Sequence, residues 1–340
     1  MALSWLRRSL QLVTTPKTEQ EAADVSRAFA LSLSYSGREY DSVNREGGKV
    51  SIDHQKTTLQ KNLTEQICRL LGTLQYTSEE VIELQSKSIQ QEVKDPNSFP
   101  LFSVAPKNTD SSAIDSVVRQ SIHERIGFAP WIRTSSILGA GRGVWIDGKA
   151  KEGSVIGIYP GFIYQLKDLA TNESILKSLY PDDDYMMYCR SDGVLLDGRG
   201  RIPSELLNSN PALKSVHYPA ENPFGIGHMC NHPPQGVSPN ALVVPYDFPT
   251  KAFGDSTGGL LTDELLEEIP NAYALRPSLL RGTFSVKIRL HSALVLANRS
   301  LENEEVFVDY RLSPNFPRPS WYHPVDASEE HRRWSDQDVK

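Results

Sequence analysis

The chain changes character at Gly127, and this change limits the kind of fold that it can form. Before Gly127, apolar residues recur at helical spacing. After it, apolar segments become short, β-branched and separated by glycine or proline, which is typical of β-strands. The predicted strands are residues 154–159, 194–196, 242–244, 284–288, 292–297 and 305–308. Many short strands with few long helices predict a mainly β fold with α-helices, of the α+β class.

Residues 1–125 carry the apolar patterns of several amphipathic helices. The clearest helix covers residues 59–74. Thr77 and Glu80 have the spacing of a capping box, which predicts that a second helix begins there. Another helix is predicted at residues 114–122 and ends at Gly127. The connections are predicted at residues 35–56 and 95–112. No group of acids, bases or ligands is apparent, so this N-terminal helical region is predicted to serve packing.

Composition narrows the classes of function that the chain can have. It has 340 residues, 39% hydrophobic and 23% charged, which is typical of a globular protein. Its net charge of -6 and pI of about 5.8 provide no overall basic field for nucleic acid. Three widely spaced cysteines favour neither a disulfide framework nor a metal site. No apolar run is long enough to span a membrane. An intracellular, reducing compartment fits these features.

The first 18 residues leave the compartment open. They contain three basic residues and no acid, and their apolar residues could share one helical face. This pattern fits an ordinary basic N-terminus, and it also fits a mitochondrial presequence. Nucleus, cytosol and mitochondrion therefore all remain compatible with the sequence.

Four short motifs follow one another after Gly127. They are Gly141-Arg142-Gly143-Val144-Trp145, Tyr159-Pro160-Gly161, the sequence GHMCNHPPQGVSPN at residues 227–240, and NEEVFVDY at residues 303–310. Each has a plain explanation when taken alone: a β-turn, the exit of a strand, a surface loop, and a strand whose tyrosine covers the core. Three prolines and two glycines within residues 227–240 exclude a regular element there.

Together and in this order, the motifs resemble the SET-domain family of protein lysine methyltransferases. The resemblance covers residues 126–312, just over half of the chain. Further segments resemble one subgroup of that family. They are residues 126–128, 192–198, 222–223 and 270–273.

The resemblance implies a SET-type β fold with a pseudoknot, in which the segment ending at Tyr310 threads the chain near residues 231–240. It implies a catalytic domain at residues 126–312, with an insertion at about 246–290. The N-terminal helical region, residues 1–125, would precede this domain. A C-terminal tail, residues 313–340, would follow it, wrapped loosely or disordered.

The resemblance also implies a cofactor and a substrate. S-adenosyl-L-methionine (AdoMet) would bind on one face, and the lysine of a protein substrate would enter through a channel from the other. Tyr310 is the expected catalytic residue, with Tyr159 and Tyr185 lining the channel. Glu305 and Asp309 are expected to hold local geometry. The expected cofactor-binding residues are Gly141, Arg142, Gly143, Trp145, Asn231, His232 and Tyr310. Neither a metal, nor a nucleic acid, nor a membrane is implied.

The sequence departs from the family pattern in two places. Asn231 and Asn240 are nine positions apart, a longer interval than family loops usually have, and Pro233-Pro234 replace a Ser-Cys pair. The cysteine-rich zinc segments that flank many SET domains are absent. An aromatic wall would have to come from the N-terminal helices or from Trp321 and Tyr322 in the tail. These departures keep a second hypothesis open, a catalytically inactive SET-like module that binds a peptide or protein.

Overall fold

A computed structural model describes most of the chain. The described residues are 18–37, 50–93, 111–165, 186–209, 211–215, 222–248, 263–274, 290–314 and 317–334. The predicted strand at residues 284–288, the proposed channel residue Tyr185 and the basic N-terminal segment lie outside these ranges. So does most of the predicted connection at residues 95–112.

Three helices precede Gly127: α1 (Thr18–Tyr35), α2 (Ile52–Val93) and α3 (Ser111–Ile126). The predicted boundary at Thr77 is wrong, because α2 is a single helix of 42 residues that runs through this position. No proline interrupts this stretch, and a single Gly72 costs only about 1 kcal/mol in a helix. The predicted connection over residues 35–56 is too long, since α2 begins at Ile52. Among the helices of the described ranges, none has the length and apolar character to cross a membrane.

The predicted end of α3 at Gly127 is confirmed. Gly127 has a φ of +86°, in the left-handed region that glycine adopts readily. Its N–H donates to the carbonyl of His123 at 2.8 Å, and its carbonyl accepts from Lys149 at 2.9 Å. The turn therefore closes the helix and places the following residues against the strand Arg142–Ala150.

The strands form three small sheets. Their bounds are β1 (Phe128–Thr134), β2 (Arg142–Ala150), β3 (Val155–Ile158), β4 (Gly161–Gln165), β5 (Met187–Cys189), β6 (Val194–Asp197), β7 (Ala241–Phe248), β8 (Asn271–Tyr273), β9 (Leu290–Ala297) and β10 (Leu301–Glu302). The strand orders are β1-β2-β10, β3-β9-β7 and β5-β6-β4-β8. Pairing is antiparallel except between β4 and β8. Helices with mainly antiparallel sheets confirm the predicted α+β class.

Short helical segments connect these strands. They are α4 (Ser204–Ser209), α5 (Asp263–Glu267) and two 3₁₀ turns, Pro211–Ser215 and Gly227–Met229. The predicted strand at residues 305–308 is not a regular strand. It forms isolated bridges to different segments. Glu305 pairs with Trp145, Phe307 pairs with Asn231, and Val308 pairs with Ala241.

One hydrophobic core joins the two halves of the described chain. Buried side chains from α1 and α2, such as Leu31 and Leu63, share a cluster with Val144 of β2, Ile156 of β3 and Leu296 of β9. Burial of apolar surface is the dominant favourable term in folding. The N-terminal helices therefore contribute directly to the packing of the sheets.

Residues 317–334 of the C-terminal tail have more regular structure than the sequence pattern indicates. They contain α6 (Ala327–Trp334), and Tyr322 is buried. The carboxylate of Asp326 accepts from the backbone N–H groups of Ser328 and Glu329 at 2.8 and 2.9 Å. An aspartate before the first helical residue is a favourable N-cap. The signal was present in the sequence, although the helix is too short for its periodicity to stand out.

Gly153 gives a test of how α1 packs on the sheets. Its φ is +76°, and an added Cβ would lie 1.9 Å from the carbonyl oxygen of Leu31. Gly153→Ala should lower the free energy of unfolding by about 1 kcal/mol through backbone strain and by about 1–3 kcal/mol more through overpacking. Urea denaturation measures this.

Gly139→Ala is the matched control. Gly139 has a similar φ of +84°, but nothing lies within 4 Å of an added Cβ. Only the strain of about 1 kcal/mol should remain. Equal losses in the two variants would contradict a close contact between α1 and Gly153.

Candidate functional site

The carboxylate of Glu305 is the point where three of the sequence motifs meet. Its Oε1 accepts from Ser135 Oγ at 2.7 Å and from Asn231 Nδ2 at 3.0 Å. Its Oε2 accepts from the backbone N–H and the hydroxyl of Ser136, at 2.6 and 2.5 Å. Burial alone would raise the pKa of Glu305, but these hydrogen bonds outweigh it and hold the pKa below its ordinary value. An anion is therefore fixed beneath the β1–β2 turn.

The backbone around Glu305 is paired on two sides. On one side, Val306 donates to the carbonyl of Val144 at 2.7 Å, so this segment pairs with β2. On the other, Val308 donates to the carbonyl of Asn231 at 2.9 Å. Asn240 completes the second side, because its amide donates to the carbonyl of Glu305 and accepts from the N–H of Phe307, both at 2.7 Å. Residues 304–308 thus lie between β2 and the ends of the 231–240 loop.

The glycine motif has two different physical roles. At Gly143 an added Cβ would lie 2.1 Å from Glu305 Oε1 and 2.7 Å from Asn231 Nδ2. This glycine is therefore required for the close approach of the carboxylate. Gly141 instead has a φ of +72° and open space around its Cα. Between them, the carbonyl of Arg142 accepts from Asn231 Nδ2 at 3.1 Å.

Trp145 lies on the outer face of β2, on the same strand as the glycine motif. Its Nε1–H donates to the carbonyl of Thr134 at 3.2 Å, and the guanidinium of Arg133 stands 4.5 Å from its ring centroid. The ring is half-buried. Trp145 therefore joins the Glu305 cluster through its backbone, which forms a bridge with Glu305.

Tyr310 follows Glu305 by five residues in the chain. Its hydroxyl donates to the carbonyl of Cys230 at 3.0 Å, and its N–H donates to Nδ1 of His232 at 3.3 Å. The centroids of the Tyr310 and His232 rings are 5.5 Å apart. The last motif is therefore joined to the 227–240 motif through both the side chain and the backbone of its tyrosine.

His232 is held as a neutral ring. Because Nδ1 accepts from the Tyr310 N–H, Nε2 carries the proton and donates to the carbonyl of His323 at 2.9 Å. Burial lowers the pKa of His232, and the hydrogen bond to His323 and the charge of Asp309 only partly oppose this. Both ring nitrogens are engaged, which gives the histidine a structural role in the described geometry.

Tyr159 is buried near Tyr310, whereas Tyr185 lies outside the described residues. Burial, followed by the neighbouring Tyr310 and Asp197, raises the pKa of Tyr159 well above its ordinary value, so its phenol stays neutral. Tyr188, which the sequence reasoning did not single out, packs on Tyr159 with ring centroids 5.6 Å apart.

His228 is a second residue that sequence reasoning missed. Its ring meets that of Tyr159 edge-on at 6.5 Å. Burial and the charge of Arg142 lower the pKa of His228 to about 4, so it is neutral at physiological pH. Ser135 and Ser136 were missed as well, since no pattern in the sequence marks the serines of an irregular turn as partners of a glutamate 170 positions away.

The long loop bulges into solvent. Residues 234–238 are exposed, and Val237 keeps 44% of its accessible surface. Asn231 and Asn240 at its two ends still pair with residues 304–308. The longer interval is therefore accommodated outside the paired region.

The arrangement provides carbonyl, phenol and carboxylate groups around a partly open turn. Its two histidines are neutral, and the guanidiniums of Arg142, Arg133 and Arg311 lie on or beside it. The aromatic ring of Tyr310 provides a face of the kind that attracts a cation. Within the described ranges, no group of three or more histidine, cysteine, aspartate or glutamate side chains is placed to hold a metal.

Comparison with known proteins supports a SET-domain family relationship for this chain. It is 24% identical to SET domain-containing protein 9 of Homo sapiens over 208 residues, which are 56% of this chain and 60% of that protein. It is equally similar to SET domain-containing protein 9 of Pongo abelii, over 56% of this chain and 66% of that protein. The chain thus spans about 60% of the length of the human relative. No family model matches the sequence.

These relatives support the SET-domain family relationship that the motifs predict. A comparison of structures finds "ctPRC2 in an autoinhibited conformation bound to S-adenosylmethionine", 12% identical with a TM-score of 0.28. That match covers 61% of this chain and 18% of the other.

Glu305→Gln tests the importance of the buried carboxylate. It removes a charge that accepts four hydrogen bonds, so the free energy of unfolding should fall by about 2 kcal/mol at neutral pH. Because the pKa is lowered in the folded state, this stabilisation is present above the unfolded-state value of about 4.3. It is lost as pH falls through the folded-state pKa.

The difference in the free energy of unfolding between wild type and Glu305→Gln should therefore become smaller at acidic pH. Urea denaturation at a series of pH values measures this. Glu302→Gln is the control, because that carboxylate is 62% exposed in a surface pair with Lys149. It should cost less than about 1 kcal/mol. If the loss of unfolding free energy in Glu305→Gln did not depend on pH, the charge of Glu305 would not be the source of the stabilisation.

Proposed function

We propose that this protein is an AdoMet-dependent protein lysine N-methyltransferase. The observation that carries the proposal is the meeting of the glycine motif, the 227–240 motif and the NEEVFVDY motif around Glu305 and Tyr310. These are the segments by which the sequence resembles the SET family, and the relatives support that relationship. Methyl transfer needs alignment and a suited electrostatic environment more than it needs covalent chemistry from the protein.

The proposed topology is a pseudoknot. The pairing of residues 304–308 with β2 on one side and with the ends of the 231–240 loop on the other supports it. In this topology the segment that ends at Tyr310 passes through the loop. The amide of Asn240 would hold the crossing closed through its two hydrogen bonds to residues 305 and 307.

The residues present fit AdoMet. Gly141 and Arg142 are exposed, and the open space at Gly141 allows a ligand to approach the backbone. We propose that these residues, with Gly143, Asn231 and the backbone of Trp145 and His232, hold the cofactor. When bound, AdoMet supplies a methyl group on a sulfonium cation. The neutral histidines and the Tyr310 ring suit that charge.

Tyr310 would orient the incoming lysine amine. Its hydroxyl is directed by the carbonyl of Cys230, and the neutral phenols of Tyr159 and Tyr188 lie nearby. We propose that these rings line a channel, to which Tyr185 also contributes. The lysine must arrive as a neutral amine, and the proximity of a cationic cofactor favours loss of its proton to water. No general base among the protein's side chains is required.

The proposed substrate is a lysine in a protein, not a nucleic acid or a membrane. Trp321 of the tail would form part of the wall beside the entering side chain, because its ring stands edge-on to Tyr310 at 6.1 Å and is 47% exposed. We propose a catalytic domain at residues 126–312 with an insertion at about 246–290. The helical region at residues 1–125 and the tail at residues 313–340 would flank it.

The second candidate is a SET-like module that binds a peptide without methylating it. The proline pair in the long loop favours this reading, since Pro233 and Pro234 offer no N–H donors where the family usually has Ser-Cys. The two candidates differ in one measurable property, the transfer of a methyl group to protein.

Tyr310→Phe tests the enzyme directly. The change removes the hydroxyl that donates to Cys230, so methyl transfer from labelled AdoMet to proteins of a cell extract should fall on the order of 100-fold. Affinity for AdoMet should change by less than about threefold. Mass spectrometry of the labelled proteins should assign the mark to lysine.

Tyr164→Phe is the control, because the buried Tyr164 hydroxyl has no hydrogen-bond partner among the described residues. It should leave transfer unchanged. Parallel losses of transfer and AdoMet affinity in Tyr310→Phe would give the tyrosine a structural role only. Methylation of residues other than lysine would contradict the proposed substrate.

A further inference from the structure

Four charged side chains connect the first described helix with the last. Asp24 of α1 accepts from Arg333 of α6 at 3.0 Å and from Arg311 at 3.4 Å. Glu329 of α6 pairs with the same two arginines, at 2.9 and 3.1 Å. We call these residues the terminal ion cluster. Two carboxylates and two guanidiniums alternate in it, so its charges balance.

The cluster is half-buried. The side chains keep between 19% and 31% of their accessible surface. Pairs in such surroundings are screened less by water and salt than exposed pairs are. Removal of Asp24 would leave two guanidiniums sharing the single carboxylate of Glu329, which makes the loss larger than that of an isolated surface pair.

The segment that the cluster holds also contacts the proposed site. The ring of Tyr322 stacks on His232 with centroids 4.6 Å apart, and the carbonyl of His323 accepts from His232 Nε2. Trp321 stands edge-on to Tyr310. The hydroxyl of Tyr322 in turn accepts from the N–H of Leu312 at 3.1 Å. The tail therefore lies against both residues 310–312 and the 227–240 motif.

Arg311 links the cluster to the site through the backbone. It directly follows Tyr310 and has a φ of +51°, a conformation that an arginine rarely adopts. Its N–H donates to Asp309 at 3.0 Å, while its guanidinium is held by Asp24 and Glu329. The side-chain contacts help to fix a backbone turn beside the tyrosine.

We propose that Asp24, on the N-terminal helix, is a positioning residue for the methyl-transfer site. Through Arg311 and Arg333 it holds the tail so that Trp321 and Tyr322 form a wall beside Tyr310, and it fixes the turn after Tyr310. The inference rests on the proposed function for its catalytic consequence. Its structural part, the anchoring of the tail, stands independently.

The test uses the full chain with Asp24→Asn. Backbone amides of residues 317–334 should exchange with deuterium at least about tenfold faster than in wild type. Methyl transfer should show a loss of kcat/KM on the order of tenfold, since a misplaced wall misaligns the acceptor. Affinity for AdoMet, measured by calorimetry, should stay within about threefold. Asp24→Glu keeps the charge and should restore most of both properties.

Glu21→Gln is the matched control. Glu21 lies on the same helix and pairs at 2.8 Å with Lys56, away from the tail. It should leave exchange and transfer unchanged. Unchanged exchange in Asp24→Asn would overturn the anchoring. Faster exchange with normal transfer would overturn the positioning role. If wild type neither binds AdoMet nor transfers methyl, the proposed function fails, while the exchange result still decides the anchoring.

Discussion

The buried carboxylate of Glu305 is the interaction on which the site depends. Its partners come from two distant parts of the chain: Ser135 and Ser136 from the β1–β2 turn, and Asn231 from the 227–240 motif. A buried anion is tolerated only when it is fully hydrogen-bonded, so these segments must meet in one geometry. Gly143 is required because a side chain there would collide with the carboxylate. Three of the motifs therefore meet in one packing arrangement around this carboxylate.

Part of this could be predicted from the sequence. The short β-branched segments indicated an α+β fold, and Gly127 marked a helix end, because both depend on local geometry. The motifs indicated that Asn231, Gly143 and Tyr310 belong together. The partners of Glu305 could not be predicted, since serines of an irregular turn have no period. The continuous α2 was missed because Thr77 and Glu80 satisfy a capping pattern without having to end the preceding helix.

The contacts of the tail were the least accessible to sequence reasoning. The sequence offered Trp321 and Tyr322 as candidate aromatic residues for a wall. No local sequence pattern indicated that they would pack against Tyr310 and His232. Asp24 is separated from Arg333 by most of the chain and lies in an ordinary amphipathic pattern. Charged partners at such distances depend on the assembled fold. The N-terminal helices thereby gain a role beyond packing, since they reach the tail that borders the site.

We propose above all that this arrangement binds AdoMet. Calorimetric titration of the purified full chain with AdoMet measures it without knowledge of the substrate. We predict saturable binding at one site per chain. Binding should weaken when Asn231 is replaced by alanine, because the amide of Asn231 joins the Arg142 carbonyl to Glu305. Absence of measurable heat, with the protein shown to be folded, would contradict the account and leave the peptide-binding module as the better description.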